Sequence, residues 1–285
     1  MKIVRFLGGL GNQMFQYAFY KSLERKFDAV RADLTEFEAY GLHNGFELER
    51  IFPIDLDKAP PFLVKLYDPR YRSWWIRKLR RVARLKDAYY EEKMLFRFDS
   101  GLFEDNNNRL YWGYWQNERY FDAVGDALRQ DFQFKLPLGE RNKSVLQQIQ
   151  SGNSVSIHVR RGDYLNNELL GGICDEAYYQ RAIQTIQERT KDPEFFVFSN
   201  DMAWCESHLN LPQAHFIAWN QGDKSYIDMQ LMSHCKHNII ANSSFSWWSA
   251  WLNSNTDKIV IAPTRWTNDP ANSISDIIPS QWITL

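Results

Sequence analysis

The sequence has few cysteines, no long apolar run and almost no net charge, and each shortage excludes a class of protein. Its three cysteines, Cys174, Cys205 and Cys235, are far apart and form no Cys-x-x-Cys pair, which argues against a disulfide scaffold. No run of about 18 apolar residues is present, so no membrane-spanning helix is expected. Lys and Arg number 34 and Asp and Glu 35, so the net charge of −1 gives no general attraction to nucleic acid.

The N-terminus also lacks a secretory signal, because its apolar stretch at 3–7 is short and contains Arg5. Together with the sparse cysteines, this predicts a cytoplasmic protein. Hydrophobic residues make up 44% of the chain and charged residues 24%, which is ordinary globular usage. The length of 285 residues predicts about two domains.

Alternating apolar and amphipathic stretches predict an α/β fold. Residues 3–7 predict a strand, followed by a glycine loop and a helix that ends near Lys26. After residue 154, helix-like stretches separate five strand-like runs, which favours a parallel sheet. These runs are 155–159, 195–198, 215–218, 238–241 and 259–262. Pro137, Gly139 and Gly152 flank a polar segment, so we place the boundary between domains 1–150 and 151–285 there.

Ligands of such sheets bind at the carboxyl ends of the strands. The run HVRRGDY at 158–164 follows the first strand of the second domain. Neighbouring residues of an extended chain point to opposite faces, so one arginine can face a ligand while the other pairs with Asp163. Because a guanidinium binds phosphate through two hydrogen bonds, Arg160 is predicted as a phosphate ligand. Arg161 is predicted as the partner of Asp163 and is also a candidate donor ligand. A plain surface Arg–Asp pair is the alternative.

Two further loops can bind phosphate through N–H groups at a helix N-terminus. The glycine loop at 8–13 matches neither a Walker A loop nor a dinucleotide fingerprint, and a plain tight turn is its alternative. Its candidate donor ligands are Gly9, Gly11, Asn12 and Gln13. In the loop after 238–241 the candidates are Asn242, Ser243, Ser244, Phe245 and Ser246. Those serines could equally be ordinary N-caps, and the neighbouring tryptophans are expected to pack in the core.

Two motifs are candidates for base and sugar recognition. The run FSND at 198–201 ends in Asn200 and Asp201, and a carboxylate there can accept hydrogen bonds from the N1–H and amino groups of guanine, with His158 nearby. The alternative is that Asp201 caps the next helix. The run YWGYWQ at 111–116 predicts a strand with one aromatic face, on which a sugar could stack, or which could pack in the core. Its candidate acceptor ligands are Trp112, Tyr114, Trp115 and Gln116.

Residues 70–86 carry eight basic residues, no acidic residue and an apolar stripe that includes Trp74 and Trp75. A basic amphipathic helix can lie on an anionic membrane surface. A solvated helix face is the alternative.

Together these stretches resemble the family 11 glycosyltransferases, the α-1,2-fucosyltransferases. The matching segments are GGLGNQMFQYAF at 8–19, YWGYWQNERYF at 111–121, HVRRGDY at 158–164, FSND at 198–201 and DMQLMSHCKHNIIANSSFSWWSAWL at 228–252. The HxRRxD box is shared with α-1,6- and protein O-fucosyltransferases, whereas the first and last segments are more specific to the α-1,2 group. The match is poorest at 50–100, so the acceptor is the property least well transferred.

The resemblance implies a GT-B-like fold, in which two Rossmann-like domains face each other across a cleft. It implies a bacterial, inverting enzyme that needs no metal and no cofactor and moves L-fucose from GDP-β-L-fucose to O2 of a β-galactoside. The acceptor would be lactose-like or a lipid-linked oligosaccharide, the latter in keeping with peripheral contact to the inner membrane. Charge that develops on the β-phosphate would be neutralised by Arg160 and by N–H groups of 9–13 and 243–246.

The catalytic base and the reaction class stay open. Glu47, which is also a candidate acceptor ligand, Asp163 and other acids of the N-terminal half could each take the acceptor proton. The alternatives are a fucosyltransferase of another linkage, a non-catalytic sugar-binding protein and a GDP-binding regulator. A sugar-binding protein would need neither paired arginines after a strand nor a glycine loop.

Overall fold

The computed structural model describes residues 1–38 and 44–285, and it divides into two units, Met1–Lys135 and Leu136–Leu285. The polar segment before residue 152 forms a helix, α6, and belongs to the second unit. The units therefore separate at 135/136, about one helix earlier than the boundary drawn from the sequence.

In the described part of the first unit, four parallel strands form a sheet with the order β2-β1-β4-β3. The strands are β1 Lys2–Arg5, β2 Val30–Asp33, β3 Tyr89–Glu91 and β4 Arg109–Trp112. The helices are α1 Leu10–Glu24, α2 Leu48–Ile51, α3 Pro61–Tyr67, α4 Trp74–Val82 and α5 Gly125–Asp131. Helix α1 confirms the predicted first helix and buries Met14, Phe15 and Phe19 in the core.

The second unit, which is described throughout, has six parallel strands in the order β10-β9-β8-β5-β6-β7. They are β5 Asn153–Val159, β6 Pro193–Ser199, β7 His215–Ile217, β8 His237–Ile239, β9 Val260–Ala262 and β10 Ile283–Thr284. The helices are α6 Glu140–Ser151, α7 Glu176–Arg189, α8 Met202–His208, α9 Tyr226–His234 and α10 Ser244–Leu252. The predicted parallel sheet is confirmed.

Each sheet has a point at which the chain changes the direction in which it adds strands. From β1 the chain adds β2 on one side, and β4 pairs on the other side. From β5 it adds β6 and β7 on one side, and β8 and β9 lie on the other. Ligands of open α/β sheets bind beyond the carboxyl ends of the strands at such a switch point. The pairs β1/β4 and β5/β8 therefore indicate where each unit presents its functional loops.

All three cysteines are buried in the second unit. Burial raises the pKa of the Cys174 thiol to about 12 and that of Cys205 to about 11. Across residues 1–38 and 44–285, no helix combines the length and apolar character needed to cross a bilayer.

Candidate active site

Strand β5 ends at Val159, and the two arginines that follow form separate ion pairs. Arg160 Nη2 lies 2.8 Å from Asp163 Oδ2, and Arg161 Nε lies 3.2 Å from Asp201 Oδ2. The predicted pairing of Arg161 with Asp163 is therefore wrong. The reason is local, because residues 162–164 form a 3₁₀ turn that brings Asp163 back to Arg160 three positions earlier.

Arg161 is held in place by the loop after β6. Its guanidinium lies 4.3 Å from the centre of the Trp204 ring, and its backbone N–H donates to Asn200 Oδ1 at 3.0 Å. Asn200 Nδ2 in turn donates to Asp163 Oδ1 at 3.3 Å. Gly162 permits this contact, because a Cβ atom there would lie 2.5 Å from Asn200 Nδ2. The loops after β5 and β6 thus form one hydrogen-bonded structure around Arg160.

Asp201 caps helix α8, which was the alternative to base recognition. Its Oδ1 accepts a hydrogen bond from the Trp204 N–H at 3.3 Å. Its Oδ2 pairs with Arg161, so both oxygens have protein partners. Contact between Asp201 and guanine stays a prediction.

His158 is the last but one residue of β5 and is only 5% exposed. Burial, reinforced by the charge of Arg160, lowers the pKa of its imidazole to about 3, so the ring is neutral at neutral pH. Its Nδ1 is buried and has no hydrogen-bond partner among the described residues. The ring centre lies 5.7 Å from that of Phe245, at the start of α10. An unpaired buried polar atom is costly, and a bound ligand would remove that cost.

The loop after β8 divides into structural residues and residues at a helix N-terminus. The amide of Asn242 donates to the carbonyl oxygens of Leu170 and Trp266 at 3.0 and 3.1 Å, and buried Ser246 bonds the Ser243 carbonyl oxygen at 3.3 Å. Both side chains therefore hold the loop together. Ser243 is the N-cap residue of α10 by its backbone, but its hydroxyl makes no capping bond. Ser244 and Phe245 lie in the first turn of α10, where N–H groups lack intrahelical acceptors.

The tryptophans of α10 pack as expected from the sequence. Trp247 and Trp248 are fully buried, with ring centres 5.0 Å apart. The Trp247 indole N–H donates to the Ile277 carbonyl oxygen at 2.8 Å. These rings therefore fix the start of α10 beside the switch point β5/β8.

In the first unit, Gln13 organises the glycine loop. Its side chain is fully buried, and Nε2 donates to the carbonyl oxygens of Gly8 and Gly45, both at 2.9 Å. Its Oε1 accepts from the Glu47 N–H at 2.9 Å. Gly9 is the N-cap residue of α1, and Gly11 and Asn12 lie in the first turn of that helix. Gln13 thus shapes the loop, and its contact with the donor stays a prediction.

Glu47 is almost fully buried and paired, which bears on its candidate role as acceptor ligand and base. Its Oε1 accepts from Arg50 Nη2 at 2.7 Å and from Asn44 Nδ2 at 3.2 Å. These bonds hold the segment that precedes α2. The role of Glu47 toward the acceptor stays a prediction.

The aromatic run does not continue as a strand to residue 116, as the sequence pattern predicted. Strand β4 ends at Trp112, because the N–H groups of Tyr114 and Trp115 donate to Glu92 Oε2, at 2.7 and 3.3 Å, instead of to a strand. Gly113 permits this approach, since a Cβ atom there would lie 2.6 Å from Glu92 Cβ.

Within this run, Trp115 packs in the core, and its contact with an acceptor stays a prediction. Its buried ring stacks on Phe19 with 4.4 Å between centres. Trp112 and Tyr114 are half-buried, with rings 6.4 Å apart. Gln116 Nε2 donates to Asn12 Oδ1 at 2.7 Å, which joins the aromatic run to the glycine loop at the switch point β1/β4.

Sequence reasoning missed Glu92. It follows β3, a strand of three residues without an alternating or apolar pattern, so the segment gave no strand signal. The available sign was the pair of carboxylates, Glu91 and Glu92, directly after two tyrosines. Burial raises the pKa of Glu92 to about 7, although bonds from the Tyr114 and Trp115 N–H groups act in the opposite direction.

Comparison with known proteins agrees with this architecture. The model of glycosyl transferase family 11 matches residues 71–285. The chain is 34% identical to the alpha-1,2-colitosyltransferase of Escherichia coli, over 99% of this chain and 98% of that protein. It is 30% identical to human galactoside alpha-(1,2)-fucosyltransferase 1, over 47% of this chain and 40% of that protein.

Among solved structures, the fold is similar to that of NodZ alpha-1,6-fucosyltransferase co-crystallised with GDP. The TM-score is 0.53 at 13% identity, over 87% of this chain and 91% of that chain. The predicted α/β fold of GT-B type is confirmed by this similarity and by the two parallel sheets.

Proposed function

Because the chain belongs to glycosyl transferase family 11, we propose that it moves L-fucose from GDP-β-L-fucose to O2 of a β-galactoside, with inversion to an α-1,2 linkage. The observation that carries the proposal is the position of Arg160 directly beyond β5, at the switch point β5/β8. The first turn of α10 and the unpaired Nδ1 of His158 lie at the same strand ends.

These groups suit a leaving nucleoside diphosphate. As the fucosyl bond breaks, negative charge grows on the β-phosphate oxygens. The guanidinium of Arg160 is partly exposed and can donate to two of these oxygens at once. The N–H groups at the start of α10 add a second source of positive potential. Asp163 fixes the orientation of Arg160. Asn200 and Asp201, in the loop after β6, contact the guanine base.

We propose further that the reaction needs no divalent metal and no cofactor. The support is that a preorganised arginine and helix N–H groups stabilise the same developing charge that a metal would. On this proposal the protein works in the cytoplasm of a bacterium.

Colitosyl transfer is the second candidate, favoured by the colitosyltransferase that shares 34% identity over nearly the whole chain. The two activities share a linkage type and differ in the sugar of the donor. Donor competition therefore distinguishes them without any change to the protein.

The experiment is a transfer assay with GDP-fucose and lactose, read by mass spectrometry and followed by linkage analysis of the product. We expect a fucosylated trisaccharide with an α-1,2 linkage, formed equally with and without EDTA. A colitosyl donor consumed much faster than GDP-fucose would favour the second candidate. A product of another linkage, or rescue by Mg²⁺ after EDTA, would contradict the corresponding part of the proposal. Calorimetry with GDP and lactose separates a regulator, which binds GDP alone, from a sugar-binding protein, which binds lactose alone.

The exposed face of α4 supports a further part of the proposal, contact with an anionic membrane that carries lipid-linked acceptors. Helix α4 is shorter than the predicted 70–86, and Arg80 turns inward to bond the carbonyl oxygens of Leu66 and Lys65 at the end of α3. Trp74 and Val82 remain more than 70% exposed, at 72% and 74%. Exposed Arg77, Lys78 and Arg81 lie on the same helix, and each cation near an anionic surface contributes about 1 kcal/mol.

Flotation with phosphatidylglycerol vesicles at low salt tests this contact. We expect the protein to float with anionic vesicles, and a Trp74→Ser, Val82→Ser double variant to float less. Phosphatidylcholine vesicles are the control. Absence of flotation with anionic vesicles would leave α4 as a solvated surface helix.

A further inference from the structure

A cavity of about 320 Å³ lies in the first unit, beside the carboxyl ends of β3 and β4. Its walls carry the rings of Tyr90, Phe98, Trp115 and Tyr120. Small-molecule sites span roughly 300–1,000 Å³, so this cavity takes a ring-sized ligand rather than a nucleotide sugar. All residues that line the cavity fall within 90–120, in the first unit.

Glu92 lines this cavity, and only one of its two carboxylate oxygens has hydrogen-bond partners in the described protein. Its Oε2 accepts the N–H groups of Tyr114 and Trp115. Its Oε1 is buried, and the described residues offer it no hydrogen-bond donor. A buried carboxylate oxygen without a donor is costly, so the arrangement favours an occupant that donates a hydrogen bond.

Trp115 provides a second, independent sign. Its φ of +57° lies in the left-handed region, which is unusual for a bulky residue. Phe96, on the segment that follows β3, has a φ of +68°. The indole Nε1 of Trp115 is also buried and lacks an acceptor within the described chain. Backbone strain of this kind concentrates at ligand sites, where the surrounding structure enforces it.

The charges around the cavity indicate the class of ligand. Two acidic residues, Glu92 and Asp99, and two basic residues, Lys93 and Arg97, line it. Asp99 is already bonded to the Tyr90 hydroxyl and the Gly101 N–H. No charge of one sign is in excess, so the cavity suits a neutral ligand and not a phosphate. Aromatic walls, an unpaired acceptor and an unpaired donor fit a hydroxylated ring with an apolar face.

We propose that this cavity is a monosaccharide subsite, in which the Glu92 side chain turns so that Oε1 accepts a hydrogen bond from a sugar hydroxyl. The assignment of that sugar to the acceptor glycan rests on the proposed function, whereas the binding itself does not. Burial raises the pKa of Glu92 to about 7, and a hydrogen bond donated by a sugar hydroxyl would lower it again.

Glu92→Gln tests the subsite with little change in shape. The amide oxygen can keep the bonds from Tyr114 and Trp115, while its NH₂ group replaces the acceptor Oε1 by a donor. Glu91→Gln is the matched control, because it makes the same change at the neighbouring, exposed residue. The measurement is affinity for methyl β-galactoside and lactose, by calorimetry or saturation-transfer NMR, on the full chain.

We expect Glu92→Gln to weaken galactoside binding about tenfold, because the variant loses an acceptor and presents an amide donor to the sugar hydroxyl. Glu91→Gln should change it less than about twofold on that scale. Affinity for GDP should be unchanged in both variants. Equal galactoside affinity in folded Glu92→Gln and in the wild type, or no galactoside binding by the wild type, would overturn the subsite.

Ser100→Trp provides a second variant should Glu92→Gln fail to fold. Ser100 is exposed and lines the cavity, so an indole there would take up space in the cavity while Glu92 itself is unchanged. Retained galactoside affinity in this variant would also overturn the subsite. The subsite and the proposed function can fail separately. Galactoside binding that depends on Glu92, without fucosyl transfer, contradicts only the function. Fucosyl transfer by Glu92→Gln with an unchanged KM for the galactoside contradicts only the subsite.

Discussion

At the residue scale, two adjacent arginines have different environments. Arg161 is bonded to Asp201 and packed on Trp204, so its guanidinium joins the loops after β5 and β6. Arg160 has Asp163 as its ion-pair partner and otherwise faces the ring of Tyr164 at 5.7 Å. On the proposed function, this contrast makes Arg160 the residue expected to bind the donor and Arg161 a support for the loop.

We expect Arg160→Ala to lower kcat by roughly 10²–10³, the usual effect of removing one preorganised donor from a developing oxyanion. Arg160→Lys should recover little, because lysine keeps the charge but loses the planar fork. Steady-state kinetics with GDP-fucose and lactose provide the measurement, with melting temperatures to confirm folding. Arg189→Ala, an exposed change at the end of α7, is the control. If folded Arg160→Ala retained more than about a tenth of kcat, its role would be wrong.

His158 should make the protein sensitive to acid. Its folded pKa of about 3 lies below the ordinary value of 6.5, so its contribution to stability is complete above pH 6.5 and is lost as pH falls toward 3. At pH 5 the loss is about 2 kcal/mol. Urea unfolding at pH 7 and pH 5 should therefore show a larger decrease for the wild type than for His158→Gln. Equal decreases would exclude His158 as the cause.

At this scale, the residues of the site could be predicted from the sequence more accurately than the bonds between them. Arg160, Asp163, Asn200 and Asp201 do lie together, because the carboxyl ends of β5 and β6 are neighbours. The pairing of Arg161 with Asp201 spans 40 residues and depends on the turn after Val159, which residue spacing does not reveal.

At the element scale, β1 ends in a buried ion network that ties the first sheet to the segment after α3. Arg5 Nε lies 2.6 Å from Asp33 Oδ2, and Arg5 Nη1 lies 2.8 Å from Asp68 Oδ2. All three side chains are fully buried. Removing one partner of such a network leaves buried charge without compensation.

Arg5→Met should therefore lower the free energy of unfolding by about 3–5 kcal/mol. Arg77→Met, on the exposed side of α4, should change it by less than about 0.5 kcal/mol. Urea titration of both variants at one pH gives the comparison. A loss below about 1 kcal/mol for Arg5→Met would mean that the network is not the main tie between β1 and the later segment.

The two sheets also differ in how well the sequence predicted them. Strands β5 and β6 are buried along most of their length and read as continuous apolar runs, as expected for the interior of a parallel sheet. Strand β3 lies at the edge of its sheet with no residue fully buried, and β4 begins with Arg109. Such short, mixed segments carry little pattern, so the first sheet was predicted at β1 and in part at β4, where the predicted strand ran on to residue 116.

At the scale of the whole molecule, the two units repeat one principle. Each has a parallel sheet with a single switch point in its described part, and the predicted ligand loops flank that point in both units. The loops were predictable from the sequence because glycines, arginines and serines interrupt apolar runs there. The cavity beside Glu92 was not, since its walls come from segments that only the folded chain brings together.

The positions of the three cysteines make their thiols a reporter of local or global unfolding in the second unit. The 135 residues of the first unit contain no thiol, whereas the second unit holds all three, each of them buried. Reaction with Ellman's reagent under native conditions therefore times the opening of the second unit alone. If GDP binds in the second unit, it should slow the labelling of cysteines that react only when the donor site is disrupted. At a GDP concentration of 100 Kd the expected decrease is about a hundredfold, equivalent to about 2.7 kcal/mol. Galactoside bound at the proposed subsite beside Glu92 should leave the labelling rate unchanged.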